Sequence, residues 1–349
     1  MPATAAPAAA AASVARRKTV AVILLVPVVV AFALWAFAWP AARMAPRDLP
    51  LGVAGPATAT SALEQRLAAH EGAFEVHRYP DAAAARAAIE DRTVYGAVVV
   101  TPQGPELLTA TAAGPVVAGL LKEAVAAQLP PGAVPKVTDV VPAPAADPRG
   151  AVLGAGLLPL VMAGAAAGIV ATLLGLRGAR AALALLGAAL LAGVVGASLA
   201  DSWLGALEGA WWAEAGVLAL TVLAVGSAIA GIAALVGKPG IGLGAVLMVL
   251  LGNPFSGITS APELLPAPVG TLGQWLPPGA AGTALRSVSS FDGAGAGTPL
   301  LILALWAAAG LAAVLIGGRR AAGRSAGSPG TPDTGTPAPS GAPAAAPVG

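Results

Sequence analysis

Apolar positions along this chain follow two different spacings. Uncharged apolar runs occupy residues 19–39, 151–176, 181–200, 215–237, 240–252 and 299–317. Crossing hydrocarbon as a helix takes about 20 apolar residues, and all but the fifth run approach or exceed that length. The fifth, from Gly240, is cut short at Gly252 by Asn253-Pro254. Counting it, the pattern predicts six transmembrane helices.

Between the first and second runs the spacing becomes that of a soluble domain. Leu49–Gly55 is a short apolar run, and residues 61–70 place Leu63, Leu67 and His70 at helical intervals. Residues 74–79 read as extended, and 82–89 as a helix by alanine content. "YGAVVV", residues 95–100, reads as a buried strand, residues 107–111 as another strand and 116–128 as another helix. Such alternation predicts a small α/β unit inserted at residues 40–150. Residues 130–150 carry Pro130, Pro131, Pro135, Pro142, Pro144 and Pro148 and read as an extended tether back to the membrane. The predicted fold class is therefore an α-helical polytopic membrane protein with a small extracytoplasmic α/β domain between spans one and two.

Composition supports the membrane reading: 57% of residues are hydrophobic and only 10% charged, against roughly 25% charged in an average soluble domain. A net charge of +2 argues against a nucleic-acid partner, and the absence of cysteine excludes disulfides, thiolate metal sites and cysteine nucleophiles. The insert holds nine basic and eleven acidic residues, with no polybasic face.

Charge placement predicts orientation. Arg16, Arg17 and Lys18 precede span one, Arg177 and Arg180 separate spans two and three, Lys238 separates four and five, and Arg319, Arg320 and Arg324 follow span six. Six crossings put all of these on one side. The loop between spans three and four holds Asp201, Glu208 and Glu214 without Lys or Arg. Both termini are thus expected in the cytoplasm of a bacterial cell membrane, the insert outside, and Trp203, Trp211 and Trp212 at the outer interface. The first run, following a basic n-region, also has features of a secretory signal, but exceeds the length of a signal core, which favours a retained anchor. Residues 1–18 and 318–349 are expected to be disordered, because their Ala/Pro/Thr and Gly/Pro/Ser/Thr bias cannot build a core.

Chemistry-bearing motifs are sparse. "GAGAGTPL", residues 293–300, lacks the Gly-Lys-Ser/Thr ending of a P-loop. His70 and His77 lie near Glu71 and Glu75 at spacings that fit no zinc signature. No Ser–His or Ser–Lys pair lies in the runs. No enzyme activity, cofactor or metal site is expected. The runs do contain small residues four apart, Gly164/Gly168 and Ser227/Gly231. These permit close helix packing, either within one bundle or against a second copy in a homodimer.

The most informative stretch is "LGNPFSGITSAPELLPAP", residues 251–268, where an apolar run abandons helix. Pro254 denies a helical hydrogen bond, and irregular backbone survives near lipid only inside protein, beside water, or outside the bilayer. Residues 253–298 are expected to form a re-entrant hairpin or broken half-helices capping the bundle. Asn253, Pro254, Ser256, Thr259, Ser260, Glu263 and Arg286 are the candidate outer gate. Glu263 and Arg286 are either a mutual pair holding the cap or two separately hydrated charges.

One amino-terminal span, a large insert and clustered later spans resemble the ABC-2-type permeases and the related YhgE/Pip group. The resemblance is carried by "DAAAARAAIEDRTVYGAVVVTPQG" (81–104), "GNPFSGITSAPELLP" (252–266) and "LPPGAAGTALRSV" (276–288), and it covers about residues 15–320. It implies that the Pro-broken segment lies at the outer mouth of a translocation path and that an ATPase meets the loop after span two, here residues 176–181, which is very short. Two functions are therefore expected to compete. One is a permease exporting a lipophilic or envelope-related substrate, powered by a separate ABC ATPase if at all. The other is an envelope anchor or secretion-accessory scaffold whose outside domain binds partners.

Overall fold

The computed structural model describes residues 5–69, 71–127 and 135–326. Five of its helices are long and apolar enough to cross a membrane, as expected of a membrane-embedded chain. They are α1 (Ala5–Ala42), α5 (Ala151–Leu173), α6 (Gly178–Ala197, continued by a π-helical turn Ser198–Trp203), α7 (Trp211–Val236) and α11 (Gly297–Ala326). The predicted fifth span is instead α8 (Pro239–Ala245) followed by a π-helical segment, Val246–Leu251. At 1.5 Å per residue this element is only about 20 Å long, too short to cross unaided. Helix α1 starts at Ala5, well before the expected span. Alanine is the strongest helix former and Pro7 falls in the first turn, where its missing N–H costs nothing. Residues 318–326, expected to be disordered, are helical, since α11 runs to Ala326; residues 327–349, like His70, lie outside the described residues.

Helix α7 is the hub. Its most apolar window is 78% buried, against 6% for α1 and about a third for α5, α6 and α11. A helix apolar on all sides can be buried on all sides, and α5, α6, α10 (Pro277–Ser290) and α11 surround it. Small residues set the approach. A Cβ added to Gly164 would stand 2.9 Å from Val222 O on α7, and one added to Gly231 2.7 Å from Gly310 O on α11. Gly168 meets Gly226, and the Ser227 hydroxyl donates to Ala307 O of α11 at 3.3 Å. Both small-residue pairs thus pack helices within one chain.

The insert folds as a mixed five-stranded sheet in the order β2-β1-β3-β4-β5. Its strands are β1 (Leu49–Ala54), β2 (Phe74–Tyr79), β3 (Gly96–Thr101), β4 (Gly104–Thr109) and β5 (Lys136–Asp139). β1 runs parallel to β2 and β3, β4 is antiparallel to β3, and β5 is parallel to β4. One face packs on α3 (Ala82–Glu90) through Ala85, Ala88 and Ile89. The other packs on α2 (Ala57–Ala68) and α4 (Pro115–Ala126) through Leu63, Leu67, Val117 and Leu121.

Part of the expected tether is structured. Lys136 and Thr138 of β5 both reach Glu106 of β4, at 2.8 and 2.7 Å. The hydrogen bonds from Lys136 and Thr138 hold the Glu106 carboxyl below its ordinary pKa. Farther along, buried Asp147 accepts the backbone N–H groups of Ala151 and Val152, both at 2.8 Å. It thereby supplies the first turn of α5 with two of the acceptors that a helix start lacks.

Candidate functional site

Because β1 follows directly on α1, the starts of β1, β2 and β3 and the turns before them face the helical bundle. The Pro-broken segment meets them there. Helix ends at Leu251, and Gly252–Ser256 turns. The chain then rises to a single 3-10 turn, Pro262–Leu264, and returns as α9 (Val269–Gln274) and α10. Ala280, Ala281, Ala284 and Leu285 of α10 sit in the bundle core. The irregular backbone is covered by protein, as low-dielectric surroundings require: Phe255, Ser256, Gly257 and Ile258 are all buried.

This excursion completes the sheet domain. Ala261 (0% exposed) and Leu264 (2%) lie in the same core cluster as Leu49, Leu51, Val98, Leu107, Val117 and Leu121. On the opposite face, Phe291, just beyond α10, joins Ala54, Ala85, Ile89 and Val99. The linker after α1 adds backbone bonds, Ala45 N to Leu264 O at 3.0 Å and Arg47 N to Glu263 O at 2.9 Å. The helix is therefore abandoned where the chain must send two apolar plugs into the insert. An autonomous 45–140 domain, the simplest reading of its soluble pattern, would lack both.

The cap and the starts of the strands enclose a cleft of about 640 Å³. Of the seven candidate gate residues, Glu263 and Arg286 line it. They do not form the mutual ion pair considered above: no contact within 4.0 Å joins them, because each is oriented by a different neighbour. The Tyr95 hydroxyl donates to Glu263 Oε2 at 2.8 Å, and Arg286 Nη2 donates to Ile258 O at 2.9 Å. Nor is Arg286 freely hydrated, being 6% exposed.

The other candidates lie elsewhere. Asn253 and Pro254 form the turn itself; Ser256 is buried there, its hydroxyl donating to Asn253 O at 2.6 Å while its carbonyl accepts from Gln274 Nε2 at 2.8 Å. Thr259, exposed, and Ser260, buried, line a small neighbouring hollow beside Asp147, which Arg286 also lines.

Arg47, Arg92 and Tyr95 are among the cleft residues new to the site. Arg92, at φ +59°, ends the turn after α3. Its Nη1 donates to Thr283 O (3.1 Å) and Ser287 Oγ (2.6 Å), and its guanidinium lies 5.1 Å from the Phe291 ring centroid. Burial lowers the Arg92 pKa, with Tyr95 and Glu263 opposing, and burial raises that of the Tyr95 phenol, with the Glu263 charge adding. The positions of Arg92 and Tyr95 could have been found from topology alone, since a parallel strand leaving α1 points its preceding turns at the bundle.

Elsewhere, fully buried Glu214 at the start of α7 accepts Gly209 N–H at 2.9 Å through Oε1, and its Oε2 has no hydrogen-bond donor. His77 sits 3.4 Å from Glu75. At the far end of the bundle, Arg177, Lys238, Thr172 and Gly317 line a second cleft, of about 490 Å³. Searches of protein-family models, curated proteins and solved structures found no match to this chain.

Proposed function

We propose that the protein is an ABC-2-permease-like exporter of a lipophilic or envelope-related substrate, with ATP-derived energy supplied, where it is used, by a separate ATPase. In this reading the chain crosses the bacterial cell membrane several times, with the sheet domain outside and both termini in the cytoplasm. The basic ends at Arg177, Lys238 and Arg319 favour that orientation.

One observation carries the proposal: two clefts open at opposite ends of the bundle, separated by tightly packed small residues. Helix α11 contributes Ile302 to one and Val314 to the other, about 18 Å apart along its axis. Between them Ser227, Gly231 and Gly310 close the α7–α11 seam. A permease caught closed at its middle has this form. Three hydroxyls of the spans favour a lipophilic substrate, because each already donates to a carbonyl of its own helix. Thr172 donates to Gly168 O and Ser198 to Val194 O at 2.8 Å, and Thr221 to Val217 O at 2.7 Å. The protons of these three hydroxyls are thus already taken by the helices that carry them. The turn joining α5 to α6 has only residues 174–177, so an ATPase would have to meet the basic bundle end as a whole.

The second reading, an envelope scaffold, is favoured by an apolar hollow of about 770 Å³ between α2 and α4, lined by Leu63, Leu67, Phe74, Leu120 and Val125. Affinity purification of the full chain in mild detergent, with efflux of a lipophilic dye from deletion and complemented cells, tests the choice. Export predicts dye retention on deletion and its reversal on complementation. Unchanged efflux with a co-purifying envelope protein and no ATPase would overturn it.

A further inference from the structure

The cleft beneath the sheet domain contains cationic side chains without carboxylate partners. Arg286 is almost fully buried, and Arg92 is close enough to it for the two guanidiniums to repel. Among the described residues neither has a carboxylate oxygen within 4.0 Å; their hydrogen bonds go to the Ile258 and Thr283 carbonyls and the Ser287 hydroxyl. Arg47, the third guanidinium, binds the Ala45, Leu264 and Arg43 carbonyls.

The nearest acid in the deep part of the cleft is Glu263, held by Tyr95. Asp48 and Glu75 also line the cleft, but both are exposed at its rim, and Glu75 faces His77. The interior therefore sets Arg92 and Arg286 against one carboxylate. Burying an uncompensated charge is costly, and guanidinium donors in a fork suit the oxygens of a phosphate or carboxylate.

Apolar side chains line the cleft as well, one of them on a span. Leu265, Trp275 and Ile302 line the cleft. On the same α11 helix Leu301 and Leu305 are 58% and 57% exposed, and Trp275 is 62% exposed. A ligand here would meet both the cations and exposed apolar side chains of α11.

We propose that this cleft binds the anionic head group of an amphiphile, a phosphate-bearing lipid, with the phosphate between Arg92 and Arg286 and the acyl portion along α11. This rests on the export reading, whose substrate class it names. It extends that reading by making the outer cleft an anion site rather than a passive mouth.

The test uses the full chain in neutral detergent, with dioctanoyl phosphatidylglycerol, dioctanoyl phosphatidylcholine and inorganic phosphate as probes in calorimetric titration. The phosphatidylglycerol is expected to bind at least 10-fold more tightly than the phosphatidylcholine. Arg92→Gln and Arg286→Gln should each weaken it about 10-fold or more. Ser287→Ala, which removes a tether of Arg92 without its charge, should keep most of the preference.

Competition by inorganic phosphate at similar concentration would assign the site to the phosphate group itself; its failure to compete while the lipid binds would assign it to the whole amphiphile. Equal binding of the two lipids by the wild-type chain would overturn the proposal whether or not the variants fold, as would a preference indifferent to both Gln substitutions. Binding is read without transport. Selective binding with unchanged cellular efflux would keep the site and remove the exporter, whereas dye export without anion preference would do the reverse.

Discussion

Leu264 leaves the membrane-proximal cap and enters the core of a domain encoded some two hundred residues earlier. It is 2% exposed and packs with Leu49, Leu51, Val98, Leu107 and Leu121. Truncating a buried leucine to alanine costs roughly 2–5 kcal/mol, depending on how far the site relaxes. If the sheet opens as a unit that includes this plug, Leu264→Ala should raise the opening equilibrium by about 30-fold at the low end of that range, since about 1.4 kcal/mol is a factor of ten. Amide hydrogen exchange of the full chain in detergent reads this directly. The slowest amides of β1 and β3 should exchange at least that much faster, although neither strand is mutated. Leu272, on the same cap but 53% exposed, is the control: Leu272→Ala should change exchange little, within about 0.5 kcal/mol. Unaltered protection in β1 and β3 of Leu264→Ala would refute the view that cap and domain form one cooperative body.

Tyr95→Phe removes the hydroxyl that donates to Glu263; leaving a half-buried carboxylate without that donor should cost about 1–3 kcal/mol, seen as a lower thermal midpoint in detergent. Gly231→Val places a branched side chain against Gly310 and Ala313, and should separate α7 from α11 and lower the yield of monodisperse protein sharply. Asp147→Ala deletes both acceptors at the start of α5 and should cost about 1 kcal/mol of thermal stability. Glu214→Ala strands the Gly209 N–H and should cost about 1–3 kcal/mol, whereas Glu214→Gln keeps that acceptor and should leave the midpoint unchanged or higher.

Elements governed by local pattern were legible in the sequence. Residues 74–79 read as extended and 82–89 as a helix by alanine content, both from local composition, and the long runs read as spans because length and the absence of charge suffice. Pro254 announced the end of the fifth run, although only the structure shows how short α8 and its π-helical extension are. What lay beyond reach was partnership across sequence distance. Nothing in "SAPELLP" says that Leu264 belongs to the same core as Leu49, and nothing in two lone charges says that Glu263 faces Tyr95 while Arg286 faces a carbonyl. β5 escaped because Lys136–Asp139 is only 4 residues long, largely exposed and beside prolines. Its stability comes from Glu106 on the neighbouring strand rather than from its own pattern.

The turn after α3 and the cap before α11 lie against each other and together close the cleft. A Cβ on Gly295, whose φ of +70° a side chain adopts only at some strain, would lie 3.7 Å from that of Arg92, within the Cβ separation of a disulfide, and the chain has no native cysteine to interfere. Arg92→Cys combined with Gly295→Cys, oxidised mildly in membranes, is predicted to cross-link in most molecules, giving a reducible shift in electrophoretic mobility that neither single variant shows. Absence of the cross-link in folded, monodisperse double-variant protein would contradict the account.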